Sequence, residues 1–271
     1  MTIKTRNRLN ISLFIFSLVF LAANIILFLY SFYSKNLSLD IVEASSVKKA
    51  FLVRDNPIIV ISSLFFQIIY VCITSFMLYR VFEKTQASDI AYLLLFLISL
   101  IANSLRICLP LLGMVNTYSN LLVFCGNCIV FSKLLMPLSL FFAVVMGSVE
   151  QRQELEKNII ILLVGCIFFS KIIPLNTARL CPNFEVDYSY RNVIMIAAIL
   201  VTGATLIAQF FKNKQRFYTQ YTTLGLGLIS CGTFFLFNST NLLKLIISFI
   251  LLLFGNTFYL KELHKQYLWN D

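Results

Sequence analysis

Long apolar runs, each closed by a short polar connection, set the pattern of this chain. A helix crosses the roughly 30 Å hydrocarbon core of a bilayer with about 20 residues. Eight stretches reach or approach that length: Ile11–Tyr33, Pro57–Val81, Ile90–Leu112, Leu121–Met146, Ile159–Ile173, Val193–Phe211, Thr219–Phe237 and Leu242–Leu260. In hydrocarbon every backbone N–H and C=O must be satisfied within the protein, which a helix does by itself. The pattern therefore predicts an all-α fold, a polytopic transmembrane helix bundle of about eight helices. The fifth stretch is short; it tilts little or extends through Pro174 as an irregular end. Helix starts are marked at Asp55-Asn56-Pro57, where cap residues precede a proline at the first helical position. Ser88-Asp89 and the stretch from Asn116 to Ser119 offer similar caps.

This reading divides the chain into residues 1–33, a cytoplasmic N-terminus with a first transmembrane anchor, and 34–56, an outer loop. Residues 57–260 follow as a seven-helix transmembrane bundle, and 261–271 as a cytoplasmic tail. The first run is read as a retained anchor: it is longer than a usual signal-peptide core and no A-x-A site follows it. Orientation is taken from Lys and Arg in the connections. With the N-terminus inside, 12 basic residues fall on inner segments and 6 on outer ones. An even number of spans returns the C-terminus to the cytoplasm. The expected location is a bacterial inner membrane or plasma membrane.

Composition supports the same class. The 271 residues are 59% hydrophobic and 13% charged, with a mean hydropathy of +0.85. Soluble domains carry roughly 25% charged residues, so this chain has too few to cover a water-facing surface. The net charge of +10 does not indicate nucleic acid, because the basic residues are dispersed at helix ends rather than gathered in a stripe. It fits a lipid bilayer with anionic headgroups.

Ionisable residues at membrane depth are functional candidates by default. Arg106, Lys171 and Lys244 all fall near the outer face. They either snorkel to headgroups along their apolar stems or converge on an outward-facing basic cavity. Such a cavity would bind a carboxylate, a phosphate or a lipid headgroup, with Arg106 supplying a bidentate contact. Lys133 lies near the middle of the fourth span, about 18 Å from either end at the helical rise. No Asp or Glu falls mid-span to pair with it, so the expected partners are the neutral groups Gln67, Asn103, Ser132 and Asn256. Lys133 is read either as a functional polar centre or as a structural hydrogen bond between helices. Pro137, one turn on, kinks its helix and frees backbone acceptors. The lack of mid-span acids weighs against coupled transport, which commonly uses membrane carboxylates.

The most chemical motif is Cys125-Gly126-Asn127-Cys128, a C-x-x-C in the outer part of the fourth span and a possible redox pair. Its alternative reading is two small buried apolar side chains. Cys181 is a candidate for a lone disulfide. The single histidine, His264, rules out H-E-x-x-H and His-clustered metal sites. No G-x-S-x-G elbow and no phosphate-binding G-x-x-x-x-G-K-[ST] loop is present. No catalytic residue, metal or cofactor is expected, and the reading leans away from an enzyme.

With the first span set aside, Pro57 to Leu260 is seven helices starting outside and ending inside, with Phe82-Glu83-Lys84-Thr85-Gln86-Ala87-Ser88-Asp89-Ile90-Ala91-Tyr92 as a short inner turn feeding an apolar helix. That organisation resembles the bacterial seven-transmembrane sensor modules found on signalling proteins. The resemblance implies a sensor or receptor that binds a small or lipidic ligand from outside and passes a helix shift inward. The chain departs from the pattern in its short outer loop and in lacking a kinase or cyclase output. A signalling role then calls for a separate cytoplasmic protein partner, at Glu150–Lys157 and the tail. The alternatives are a transporter or transport-complex subunit and, third, a membrane thiol oxidoreductase.

Overall fold

The computed structural model describes residues 2–34, 55–83, 87–112, 119–146, 155–215 and 220–268. Among them are eight helices, counting the interrupted third as one. They are α1 (Ile3–Tyr33), α2 (Pro57–Phe82), α3 (Asp89–Leu111), α4 (Ser119–Met146), α5 (Leu155–Ile172), α6 (Arg191–Gln215), α7 (Tyr221–Phe237) and α8 (Leu242–Leu268). The all-α bundle and its approximate helix count agree with the hydrophobic pattern. Six helices are long and apolar enough to cross a membrane. The exceptions are α5, which carries Glu156, Lys157 and Lys171 within its 18 residues, and α7, which spans 17.

Helix ends follow local chemistry. Asn56 caps α2, its side chain accepting from the Ile58 amide at 2.9 Å, with Pro57 at the first helical position. Ser88, by contrast, makes no side-chain cap bond. The cap candidates Asn116 to Tyr118, the charged segment 147–154 and most of the outer loop (35–54) lie outside the described residues. Helices α1 and α8 run well past their apolar stretches. Both extensions lie at the same end of the bundle, hereafter the terminal end. There the Arg6 guanidinium donates to the Phe82 carbonyl and the Asn7 amide to the Glu83 carbonyl. The Tyr267 hydroxyl reaches Asp89 at 3.1 Å, and the His264 ring meets Phe82 edge-on.

Helix α3 is the axis of the molecule. From Asp89 to Ser104 nearly every side chain is buried, among them Tyr92, Leu94, Leu97 and Leu100. One core joins it to α2, α4, α7 and α8 through residues such as Val71, Leu78, Leu140, Leu226 and Leu252. The outward faces of α1, α5, α6 and α8 are apolar and exposed, for example Phe16, Phe168, Leu200 and Phe254. Water does not tolerate contiguous apolar surface of that extent, whereas hydrocarbon does.

The α7–α8 pair packs backbone against backbone. A Cβ added at Gly225 would lie 2.8 Å from the Tyr259 nitrogen, and one at Gly255 would lie 2.9 Å from the Ile229 nitrogen. Small residues at such crossings drive helix association in lipid, where no hydrophobic force acts between spans.

The connection from α5 to α6 forms an antiparallel β-hairpin of β1 (Leu175–Leu180) and β2 (Val186–Tyr188). It packs on α4 and defines the opposite, hairpin end of the bundle. A Cβ at Gly126 would lie 2.8 Å from Leu175 Cδ1 and 3.4 Å from Val186 Cβ, so the glycine inside the C-x-x-C element is what lets the hairpin lie close on α4.

Gly225→Leu should lower the thermal unfolding midpoint of the detergent-purified protein, consistent with an overpacking cost of about 1–3 kcal/mol. Gly203→Ala, where an added Cβ meets nothing within 4 Å, should be neutral or slightly stabilising.

Candidate functional site

The site begins with two cations that stand in the same relation to a proline. Pro110 follows Arg106 by four residues, and Pro137 follows Lys133 by four. A proline inside a helix has no N–H to give the carbonyl four residues back, and its ring crowds that carbonyl. At Arg106 the result is a 3-10 turn, Leu105–Ile107, interrupting α3. At Lys133 the helix continues through Pro137. Side chains on a helix lean toward its N-terminus, so Lys133 on α4 reaches toward the hairpin end.

The hairpin supplies the counter-charge. Its tip, Cys181-Pro182-Asn183-Phe184-Glu185, is closed by the Cys181 amide donating to the Glu185 carbonyl (2.8 Å) and the Phe184 amide to the Cys181 carbonyl (2.9 Å). Phe184 adopts φ 58°, a left-handed conformation uncommon for a bulky residue. Its ring is fully buried among Val60, Ile61, Leu64, Ile107 and Leu111, which holds the turn in place. Val186 and Tyr188 face the bundle while Asp187 faces away. The turn at Phe184 points Glu185 inward instead of along the Asp187 face.

Glu185 is fully buried and takes three cations. Arg106 Nη1 donates to Oε1 at 2.7 Å, and Lys133 Nζ donates to Oε2 at 2.7 Å. Arg191, at the start of α6, donates to the same Oε2 at 3.4 Å. Arg106, itself fully buried, also donates through Nη2 to the Phe237 carbonyl at 3.1 Å. Lys133 Nζ lies 5.2 Å from the Tyr188 ring centroid, a cation–π arrangement. Arg191 donates to Cys181 Sγ at 2.9 Å. Burial alone would push the Glu185 carboxyl up, but Lys133 and Arg106, with Arg191 behind them, outweigh it and bring its pKa down to about 2. Burial raises the Tyr188 phenol, against the pull of Lys133.

Beside this cluster lies a cavity of about 70 Å³ between α4, α6 and α7. Lys133, Tyr188, Arg191 and Asn238 provide its polar wall, and Met136, Ile194, Met195, Ala198, Phe234 and Phe237 its apolar one. Met195 and Phe234, on its rim, are exposed on the outer surface of the bundle.

The geometry redraws the expected site. Arg106 and Lys133 meet, but on an acid rather than on a neutral group, because the acid comes from a connection and not from a span. Gln67 instead donates to the Leu100 carbonyl (2.9 Å), and Asn103 donates to Gln67 (3.1 Å). Asn256 faces Thr74. Lys171 is exposed at the end of α5 and does not join Arg106. Lys244 bonds the Asn238 carbonyl at 3.4 Å, next to the cavity but outside the cluster. Cys125 and Cys128 are free thiols, the first buried and the second half-buried, and Cys181 is free as well. Glu185 and Arg191 are the participants that span-by-span reading missed. The signals available for them were an acid between two apolar residues, Phe184-Glu185-Val186, and the shared spacing of Arg106 and Lys133 to their prolines.

The chain matches no family model, no curated protein and no solved structure.

Because the folded-state pKa of Glu185 is depressed, its ion pairs contribute stability above the ordinary carboxyl value near 4.5 and lose that contribution as pH falls toward about 2. Glu185→Gln should cost about 3–5 kcal/mol at neutral pH, since it strands buried cations. The difference in unfolding midpoint between wild type and Glu185→Gln should narrow as pH falls through that window.

Proposed function

We propose that this chain is a ligand-binding membrane module of sensor or receptor type, with its binding centre at Lys133, Arg106 and Arg191 under the hairpin. The observation that carries this reading is the charge balance. Three cations converge on one carboxylate beside a cavity, so the cluster keeps an excess of positive charge that an anionic ligand would relieve. Lys244 would contribute from the rim through Asn238, while Lys171 and Asn103 play no part in this version of the site. The Lys and Arg bias puts the hairpin end outside and both termini in the cytoplasm of a bacterial inner membrane or plasma membrane.

Helix α3 is the means of transmission. At the hairpin end it carries Arg106, bound to Glu185. At the terminal end it starts at Asp89, which holds Tyr267 of α8 and lies 3.9 Å from Lys212 of α6. A ligand that competes with Glu185 for its cations would loosen the hairpin and shift α3, altering the contacts of both termini and with them the surface open to a cytoplasmic protein partner. Such a ligand acts only through its differential affinity for the two arrangements.

A second reading, transport, draws on the interruption of α3 at Arg106, since transporters commonly build their sites from broken spans. It predicts acetate or phosphate flux into proteoliposomes that Lys133→Met abolishes.

Glu185→Gln imitates release of the hairpin in the absence of ligand. In hydrogen exchange on the full chain, faster exchange is expected at residues 175–188 and also at the distant segments 3–8 and 260–268. Faster exchange confined to the hairpin would count against the sensor reading.

A further inference from the structure

We infer that the ligand is a single-chain amphiphile with an anionic head, a carboxylate or phosphate monoester, that enters sideways from the bilayer between α6 and α7. The inference rests on the proposed binding centre and adds the ligand's class, its pose and its route.

The head position follows from the cations. Of the three, Arg106 is enclosed and committed, with two donors taken by Glu185 and the Phe237 carbonyl. Lys133 and Arg191 share the single oxygen Oε2 and both line the cavity. Their side chains are 13% and 37% exposed, against none for Arg106. An anionic oxygen in the cavity would meet the same two donors that hold Oε2, with Tyr188 and Asn238, whose amide also donates to the Phe234 carbonyl at 3.0 Å, in the same wall. A cavity of about 70 Å³ holds a headgroup and not a whole ligand, since pockets that enclose a small molecule run to roughly 300–1,000 Å³.

The tail position follows from the rest of the lining. Met136, Ile194, Met195, Ala198 and Phe234 make up the rest of the lining, with Phe237, and offer no polar side-chain atom to a hydrophilic ligand. Methionine surfaces adapt to chains of varied shape. The mouth lies where Met195 and Phe234 are exposed, on the side of the bundle that faces hydrocarbon. A water-soluble anion would approach only past Arg191 at the hairpin end, whereas an amphiphile already resides beside that mouth. Arg191 begins α6 at the hairpin end, so the head would sit near the depth of the bilayer's own headgroups while its chain runs along α6.

The test uses the full chain purified in a non-ionic detergent and radiolabelled palmitate as probe. Saturable binding is expected, competed by unlabelled palmitate or hexadecyl phosphate, but not by hexadecanol, acetate or inorganic phosphate. Arg191→Gln, at a half-exposed position, should weaken binding by about tenfold or more. Ala198→Trp, which fills the apolar wall, should do the same with the cations intact. A single cooperative unfolding transition in each variant shows that it folds. Competition by acetate or phosphate as strong as by palmitate would overturn the amphiphile inference and leave the anion-binding centre standing. Palmitate uptake unchanged in both variants would mean partition into detergent and would overturn the inference. No binding of any anion would remove the binding centre as well.

Discussion

One carboxylate organises the hairpin end of this protein. Glu185 sits where Arg106 of α3, Lys133 of α4 and Arg191 of α6 would otherwise face one another without compensation. Isolated cations at membrane depth are costly, and the same cations around a shared anion are tolerated only with close geometry and additional hydrogen bonds. The 2.7 Å contacts, the Phe237 carbonyl and the Tyr188 ring supply these. Several local features become intelligible from this point. The left-handed Phe184 turns Glu185 inward, Gly126 admits the hairpin to α4, and the 3-10 turn places Arg106. Two of these depart from regular structure and the third removes a side chain, and together they bring four charged groups from four elements into contact.

The rest of the bundle is held by different means. At the α7–α8 contact, glycines at Gly225, Gly232 and Gly255 allow backbones to approach, and dispersion between closely packed atoms replaces the hydrophobic force that lipid cannot provide. At the terminal end, hydrogen bonds tie both chain ends to the α2–α3 connection. Helix α3 runs between these regions with almost no exposed side chain, so it cannot slide without changing the contacts at both of its ends.

The bundle was legible in the sequence because its signal is additive: twenty apolar residues in a row leave few other solutions. Helix ends were less so. Asn56-Pro57 could be read locally, whereas the extensions of α1 and α8 consist of polar residues that become helical by docking on the α2–α3 connection. The centre was half legible. Lys133 and Arg106 stand out as charges in apolar runs, but their partner lies in a connection, and a span-by-span search for acids passes over it. Lys171 and Lys244 share their residue class and apparent depth, and only three-dimensional packing separates them from the cluster. In Cys125-Gly126-Asn127-Cys128 the eye goes to the sulfurs, while the close approach of the hairpin depends on the glycine between them.

The order of the chain separates the members of the cluster in time. Synthesis runs from the N-terminus, so Arg106 and Lys133 leave the ribosome before Glu185 exists. Until residue 185 emerges, Arg106 and Lys133 have no acid beside them, since the one carboxylate of α3 and α4, Asp89, lies at the opposite end of α3. Their prolines leave backbone carbonyls free nearby, and water or headgroups can occupy the gap in the meantime. The cluster is thus complete only once the hairpin, Arg191 of α6 and the Phe237 carbonyl of α7 have all followed, so its closing depends on segments made after Glu185 as well as before it.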